Sequence, residues 1–201
     1  MKIAHSLVAV GILSALAVVG PMKGLAGAEQ AAAPAKPTTE IPKVDVEIKD
    51  FSFSARTPAG WREDKEAARK YQVNLVFVPE AEEARAAGAV IQVSADHKFD
   101  ENVSLRIQSQ VDAFRSRYPR LEVGEVDVKH PKYATFSKQI SQAGDFYQYL
   151  AFVNPGSISP YVFYVSLTTR KAPPTAAETA AFREVLESLE MNPPKEKPKG
   201  Q

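Results

Sequence analysis

The spacing of hydrophobic positions between residues 43 and 192 changes several times along the chain. Residues 44–54, 71–78 and 89–95 either alternate apolar with polar side chains or are rich in β-branched and aromatic residues, and both patterns predict strands. Four more runs of this kind follow at residues 122–128, 133–142, 146–153 and 161–169. Short turn-forming segments separate these four runs, so the sequence predicts an antiparallel meander in this half of the chain.

Two other segments repeat apolar residues at the spacing of a helix. The first has Asp100 as a suitable N-cap and Pro119 as its stop. Its apolar residues recur at steps of three and four, at Val103, Ile107, Val111, Phe114 and Tyr118. The second segment opens with Thr175 and Glu178 in the pattern of a capping box. Its apolar face holds Phe182, Val185, Leu186 and Leu189.

The predicted strands at residues 71–78 and 161–169 carry apolar residues on both sides. A sheet of that kind needs a covering layer on each face. The two amphipathic helices supply apolar stripes that can cover it. The sequence therefore predicts an α+β fold in which an antiparallel β-sheet is sandwiched between helices, an α/β/α arrangement.

The first residues have the composition of a secretory signal peptide. Lys2 precedes an almost wholly apolar run at residues 7–19, and Ala26-Gly27-Ala28 has the small-residue pattern that signal peptidase recognises. We expect residues 1–28 to be a signal peptide cleaved after Ala28, and the protein to be periplasmic or secreted, with no membrane span after removal of the signal. The alternative is retention as an anchor, although the apolar run is shorter than the roughly 20 residues that cross a bilayer.

Two flanking segments hold few large apolar residues. Residues 29–42 are rich in Ala and Pro, and residues 193–201 are rich in Pro and Lys. Segments of this composition do not bury enough surface to offset the entropy lost on ordering. We expect a flexible linker at residues 29–42, a folded domain at residues 43–192 and a disordered tail at residues 193–201.

The charge balance and the cysteine content exclude several functional classes. The chain has 25 basic and 24 acidic residues; loss of residues 1–28 removes Lys2 and Lys23 and no acid, which leaves 23 basic residues and a net charge of −1. Without a basic excess, we expect no binding of nucleic acid. The absence of Cys excludes thiolate catalysis, Cys-ligated zinc and iron–sulfur clusters.

One short cluster combines imidazole with carboxylates. Its candidate ligands for a divalent metal are Asp96, His97, Asp100 and Glu101. Because a metal site needs three or four converging ligands, and because Lys98 interrupts the cluster, a solvated connection with Asp100 as an N-cap is the favoured interpretation. His130, which precedes Pro131, is expected to lie in a turn. We expect no cofactor.

Motifs of the common nucleophilic, zinc-dependent and nucleotide-binding enzymes are missing. The sequence contains no G-x-S-x-G, S-x-x-K, H-E-x-x-H or G-x-x-x-x-G-K. We therefore expect a protein that is not an enzyme. A cryptic hydrolase, assembled from distant residues, is the least favoured alternative.

Aromatic side chains are the remaining candidates for contact with a partner. They are Trp61, Tyr147, Tyr149 and Tyr161. Tyr147 and Tyr149 share one face of a predicted strand, and Tyr161 opens the next strand, so this hairpin is a candidate aromatic patch with a projecting loop between its strands. The alternative is that these tyrosines and Trp61 pack against the core.

The order of elements resembles a known family. Residues 51–53, the turn Pro58-Ala59-Gly60-Trp61, a hairpin, a helix near residues 102–118, the meander and a closing helix at residues 182–189 follow one another. This order resembles the PsbP-like superfamily, which includes DcrB-like bacterial envelope proteins. The resemblance implies an α/β/α sandwich that serves as a binding or assembly module, usually without catalysis. It implies no ligand and no site residue.

Taken with the signal peptide, the resemblance predicts an exported, non-catalytic binding or assembly module of the bacterial cell envelope. The expected partner is an envelope protein, which the sequence does not identify. A small-ligand or divalent-metal carrier in the periplasm is the alternative function, and it would use the cluster that begins at Asp96.

Overall fold

The described residues form a seven-stranded antiparallel sheet and a separate three-stranded antiparallel sheet. The computed structural model describes residues 42–48, 51–98 and 103–192. The predicted signal peptide, its cleavage site, nearly all of the predicted linker and the predicted tail lie outside the described residues, so these four stay predictions.

The described strands and helices follow one another along the chain with short connections. The strands are β1 Lys43–Ile48, β2 Phe51–Arg56, β3 Trp61–Glu63, β4 Leu75–Pro79, β5 Ala89–His97, β6 Glu122–Gly124, β7 Ala134–Gln142, β8 Phe146–Asn154, β9 Tyr161–Arg170 and β10 Glu190–Asn192. The helices are α1 Lys65–Tyr71, α2 Val103–Arg117 and α3 Ala176–Ser188, with a 3₁₀ turn at Gly156–Ile158. None of these helices is long and apolar enough to span a membrane.

The large sheet has the strand order β3-β4-β5-β9-β8-β7-β6. All of its neighbouring strands are antiparallel. The last four strands of this order are β9, β8, β7 and β6, which are also consecutive along the chain. The predicted meander is therefore confirmed. The small sheet has the order β1-β2-β10.

Alternation along β9 divides the core into two layers. Phe163 and Val165 point to the side covered by α3 and the small sheet, which we call the α3 face. On this face the Phe163 ring lies 5.0 Å from the ring of Phe53 in β2. Val162 and Tyr164 point to the opposite side, the α2 face.

The α2 face is covered by two helices. From α2, Phe114 packs against Phe146 of β8, with ring centroids 6.0 Å apart. From α1, the buried residues Ala67 and Ala68 pack with Val76 of β4. Layers on both faces of the sheet give the α+β fold that the sequence predicts, an antiparallel sheet between helices.

The two predicted helices are present with the expected buried faces. α2 buries Val103, Ile107, Val111 and Phe114. At the start of α3, the Glu178 N–H donates to the Thr175 hydroxyl at 3.2 Å, and the Thr175 N–H donates to the Glu178 carboxylate at 2.6 Å. This capping box satisfies two backbone donors that a helix N-terminus otherwise leaves unpaired.

Three features differ from the prediction. The run at residues 71–78 is not one strand, because α1 precedes it and β4 begins only at Leu75. The run at residues 122–128 forms a strand only to Gly124, since the chain then leaves the ladder and buries Val128 in the core. The run at residues 44–54 pairs with itself and with β10, forming a sheet of its own.

Replacement of Phe182 tests the packing of α3 on the large sheet. The side chain has 0% exposure, so we expect Phe182→Ala to lower the free energy of unfolding by about 3–5 kcal/mol through lost burial and a residual cavity. Denaturant unfolding followed by circular dichroism measures the change. Phe136→Ala is the control, because it deletes the same atoms from a ring that is 39% exposed. Equal losses for the two variants would contradict the placement of α3.

Candidate protein-binding groove

A groove of about 690 Å³ lies between α2 and β7. Its third wall comes from residues 125–129, part of the connecting segment (residues 125–133) that joins β6 to β7. Two exposed apolar side chains line it: Leu105 of α2 is 58% exposed and Phe136 of β7 is 39% exposed. Large exposed apolar side chains from two different elements thus meet in one depression.

Leu105 reaches the groove because it lies off the buried stripe of α2. Val103 and Ile107 are one turn apart and face the sheet, whereas Leu105 is halfway between them in sequence and lies on the outer part of the helix. At that position, 58% of Leu105 is exposed, and the residue lines the groove.

Phe136 is exposed because the edge of the sheet is shorter than its neighbour. β6 pairs only with the stretch of β7 from Gln139 to Ser141. Between Ala134 and Lys138, the outer side of β7 has no strand partner in the described sheet. The connecting segment lies there instead and is attached through side chains: the Ser137 hydroxyl donates to the Val126 carbonyl at 2.7 Å.

Charged side chains at the rim of the groove pair with one another. Lys138 forms an ion pair with Glu125, and Lys129 lies 3.5 Å from Asp127. Exposed ion pairs of this kind contribute little to stability. They do, however, balance the charge of the rim. The groove therefore suits a neutral, apolar group better than a charged ligand.

The structure does not bring the predicted metal ligands Asp96 and His97 together. They are neighbours near the end of β5, where Asp96 faces Val162 and His97 faces Tyr161, so their side chains point to opposite faces of the sheet. The predicted connection at residues 96–101 therefore begins later, because β5 continues through His97. Asp100 and Glu101 lie outside the described residues. Within the described ranges, no group of three or more His, Asp or Glu side chains is placed to hold a metal.

Asp96 and His97 have different surroundings. Burial raises the pKa of Asp96, and the nearby Arg106 guanidinium partly opposes that shift. The ring of His97 lies edge-on to the ring of Tyr161, with centroids 5.5 Å apart. The Asp96 and His97 side chains therefore do not point to a common site.

The predicted tyrosine patch is not formed. Tyr149 is opposite Leu167 in the β8–β9 ladder, and Tyr161 lies six positions before Leu167 on β9. At about 3.3 Å per residue, this separates the two tyrosines by about 20 Å along the sheet. Tyr147 is opposite Thr169 and is farther still from Tyr161.

Three of the four aromatic candidates instead pack toward the core on the α3 face. Tyr149 lies 6.1 Å from the Phe182 ring, and Tyr161 lies 5.5 Å from the Phe51 ring. Trp61 is 8% exposed and belongs to the core cluster. For Trp61, Tyr149 and Tyr161, the structure agrees with the alternative in which these rings pack against the core.

The loop at residues 155–160 is tied down more firmly than the sequence suggested. The Lys98 ammonium donates to the Gly156 carbonyl at 2.5 Å and to the Ser159 carbonyl at 2.9 Å. Gly156 has a φ of +68°, a conformation that L side chains rarely adopt. The exposed apolar residue of this loop is Ile158, at 60%.

Ile158 lies at the same end of the large sheet as the groove. The ladder places the start of β7 and the end of β5 beside this loop, because Ala134 pairs with Asn154 and His97 pairs with Tyr161. The exposed large apolar side chains of the described chain therefore share one end of the molecule: Leu105, Phe136 and Ile158. Sequence reasoning missed all three; the one available signal was Leu105, an apolar residue off the stripe of its helix.

No protein-family model matches the chain, and no curated protein matches it. Among solved structures, it is similar to the Ran-binding protein Mog1p of Saccharomyces cerevisiae, with 14% sequence identity and a TM-score of 0.46. The similarity covers 75% of this chain and 96% of that chain.

Replacement of Lys98 tests whether one ammonium holds the loop. Lys98→Ala leaves the Gly156 and Ser159 carbonyls without these charge-assisted hydrogen bonds, and we expect a loss of about 1–3 kcal/mol of local stability. Limited proteolysis should then cut within residues 155–160 several times faster. Lys65→Ala is the control, since its ammonium is exposed and 3.7 Å from Glu63. Identical digestion of the two variants would show that Lys98 does not hold the loop.

Proposed function

We propose that this chain is an exported, non-catalytic binding or assembly module of the bacterial cell envelope, with the PsbP-like fold. In this proposal it contacts an envelope protein through the groove between α2 and β7. The observation that carries the proposal is the convergence of two exposed apolar side chains, Leu105 and Phe136, on that groove.

The energetics of burial support a protein partner. Full burial of a Leu or Phe side chain contributes about 1.5–3 kcal/mol, and exposed apolar patches rimmed by polar residues are a feature of interaction sites. A partner that inserts an apolar side chain between Leu105 and Phe136 would bury them and gain this free energy of burial. Because the patch is small, the contact is expected to be transient.

A binding role, rather than a catalytic one, is supported by the chemistry of the groove. Its charged groups form the Lys138–Glu125 and Lys129–Asp127 pairs at the rim, while its apolar side chains lie where a ligand would be buried. Shape and apolar contact, rather than proton transfer, are what this arrangement offers.

An envelope location is supported by the sequence. The apolar run at residues 7–19 and the pattern Ala26-Gly27-Ala28 are typical of an exported protein. The resemblance to the PsbP-like superfamily supports a binding or assembly module in that compartment.

Single replacements in the groove test the interface. A photo-crosslinking amino acid at Gln108, an exposed groove position, would capture a partner in intact cells. We expect Leu105→Ser and Phe136→Ser each to lower the crosslinked yield by about tenfold, because loss of about 1.4 kcal/mol of binding energy lowers affinity by that factor.

Ile158→Ser is the matched control for these groove variants. It also removes a large exposed apolar side chain, at 60% exposure, but Ile158 does not line the groove. Circular dichroism first establishes that all three variants are folded. If the groove variants and the control give the same crosslinked yield, the interface lies elsewhere.

Export is tested separately by processing. We expect the mature protein to begin at Glu29 and to be recovered in the soluble periplasmic fraction, because the apolar run is short for a span. N-terminal sequencing of the fractionated protein measures this. Recovery of intact Met1 in the membrane fraction would contradict cleavage and indicate an anchor.

A further inference from the structure

His130 joins two parts of the chain that are distant in sequence. It is 5% exposed, and its Nε2 lies 2.9 Å from the carbonyl oxygen of Leu189, the residue that caps the C-terminal end of α3. Its Nδ1 lies 3.0 Å from the Lys132 backbone nitrogen and 3.2 Å from that of Tyr133. The ring also stacks on Tyr133, with centroids 4.5 Å apart.

These partners determine the protonation state of the ring. The N–H groups of Lys132 and Tyr133 can only donate, so Nδ1 must accept. The Leu189 carbonyl can only accept, so Nε2 must carry the proton. The hydrogen bonds therefore use the neutral imidazole with its proton on Nε2, and a second proton on Nδ1 would oppose two backbone donors.

The backbone of His130 also attaches the connecting segment to β7. The His130 N–H donates to the Thr135 hydroxyl at 2.9 Å, which secures the backbone beside β7. Three residues before His130, the Asp127 carbonyl accepts a hydrogen bond of 3.2 Å from the Arg183 guanidinium of α3. The contacts of His130 and Arg183 thus hold the segment against α3, and of these two side chains only the imidazole changes charge near neutral pH.

The charged groups around His130 act in opposite directions. Lys132 in the same segment disfavours a charged imidazole, and Glu187 of α3 favours it. Glu190 of β10, which follows Leu189, is engaged by the Lys43 ammonium of β1 at 2.5 Å. Burial is the largest effect on His130 and lowers its pKa, and the Leu189 hydrogen bond only partly opposes that effect.

We infer that His130 is an acid-sensitive latch: the neutral ring, anchored to the Leu189 carbonyl at the end of α3, holds the turn at residues 130–133 closed, and protonation at Nδ1 releases that turn. Protonation breaks the hydrogen bonds from Lys132 and Tyr133 while the Leu189 contact can remain. The part of the segment that turns between residues 130 and 133 is therefore the part that opens.

The free energy of unfolding should decrease as the solution is acidified. The pKa of His130 is lower in the folded chain than in the unfolded chain, so the unfolded chain binds the proton more readily. This component of the free energy of unfolding is fully present above about pH 6.5 and decreases as the pH falls through that value toward the folded pKa. Below the folded pKa it no longer changes.

The latch also has a consequence for the groove. Lys129, which precedes His130 in the segment, lines the groove, so opening of the turn at residues 130–133 would alter the groove wall at Lys129 and weaken binding in acid. This consequence rests on the proposed function. The latch itself does not, and it is measured on the protein without any partner.

The test is a proton NMR titration of the full chain from about pH 8 to about pH 5. Loss of a signal in His130→Gln assigns the His130 imidazole, and His97→Gln is the control for the other described histidine. We expect His130 to titrate below the roughly 6.5 of a free imidazole. Hydrogen-exchange protection of the Lys132 and Tyr133 amides should fall at least about tenfold with the same midpoint, as expected when both lose their acceptor.

Two outcomes would overturn the latch. One is a His130 titration at or above about 6.5; the other is unchanged protection of the Lys132 and Tyr133 amides through that titration. In His130→Gln the pH dependence of protection should disappear, and in His97→Gln it should remain. If His130→Gln does not fold, His5→Gln and His97→Gln assign the other two imidazole signals, and the signal that remains in both variants belongs to His130.

Discussion

The central strands β8 and β9 are apolar on both of their faces, and the rest of the architecture depends on this constraint. Phe163 and Val165 face one side of β9, while Val162 and Tyr164 face the other, and all four are buried. Because neither side can be left to water without a large loss of burial energy, the chain must supply two covering layers. α3 with the small sheet covers one face, and α2 with α1 covers the other.

The groove follows from the way the second layer ends. α2 covers β7 and β8, but β6 is too short to continue the ladder beside the first half of β7. Phe136 is left partly uncovered at that point, and Leu105 on the outer part of α2 extends the apolar surface. The groove at this sheet edge, which we propose as an interaction site, is thus the result of a short edge strand rather than of a dedicated loop.

The parts of the fold that the sequence predicted are those in which one local pattern decides the outcome. The stripe of α2, the capping box of Thr175 and the meander all depend on spacing within one segment. α1 escaped prediction because its buried residues are Ala67 and Ala68, which give almost no amphipathic signal. β10 escaped because a strand of three residues after a helix has no recognisable period.

The candidate sites depended on relations between segments, which spacing alone does not give. The sequence pattern predicts a strand that ends at residue 95, which leaves Asp96 and His97 together in a connection; β5 instead continues to His97, and this puts them on opposite faces. Likewise, the tyrosines share the α3 face, but the ladder register puts Tyr149 far from Tyr161. The groove joins a helix, an edge strand and a connection, and no single segment contains it.

Irregular segments explain the roles of Lys98 and His130. A chain that leaves the ladder loses the partners of its backbone groups, and those groups must then be satisfied by side chains or water. Lys98 does so for two carbonyls of the loop after β8, and His130 does so for two N–H groups of the connecting segment.

The two side chains satisfy these groups by different chemistry. Carbonyls need a donor, which an ammonium supplies while it stays charged, whereas N–H groups need an acceptor, which an imidazole supplies only while it is neutral. The loop after β8 is therefore held by an ammonium, whereas the turn at residues 130–133 is held by a ring that must remain uncharged, so protonation of that ring acts on the turn.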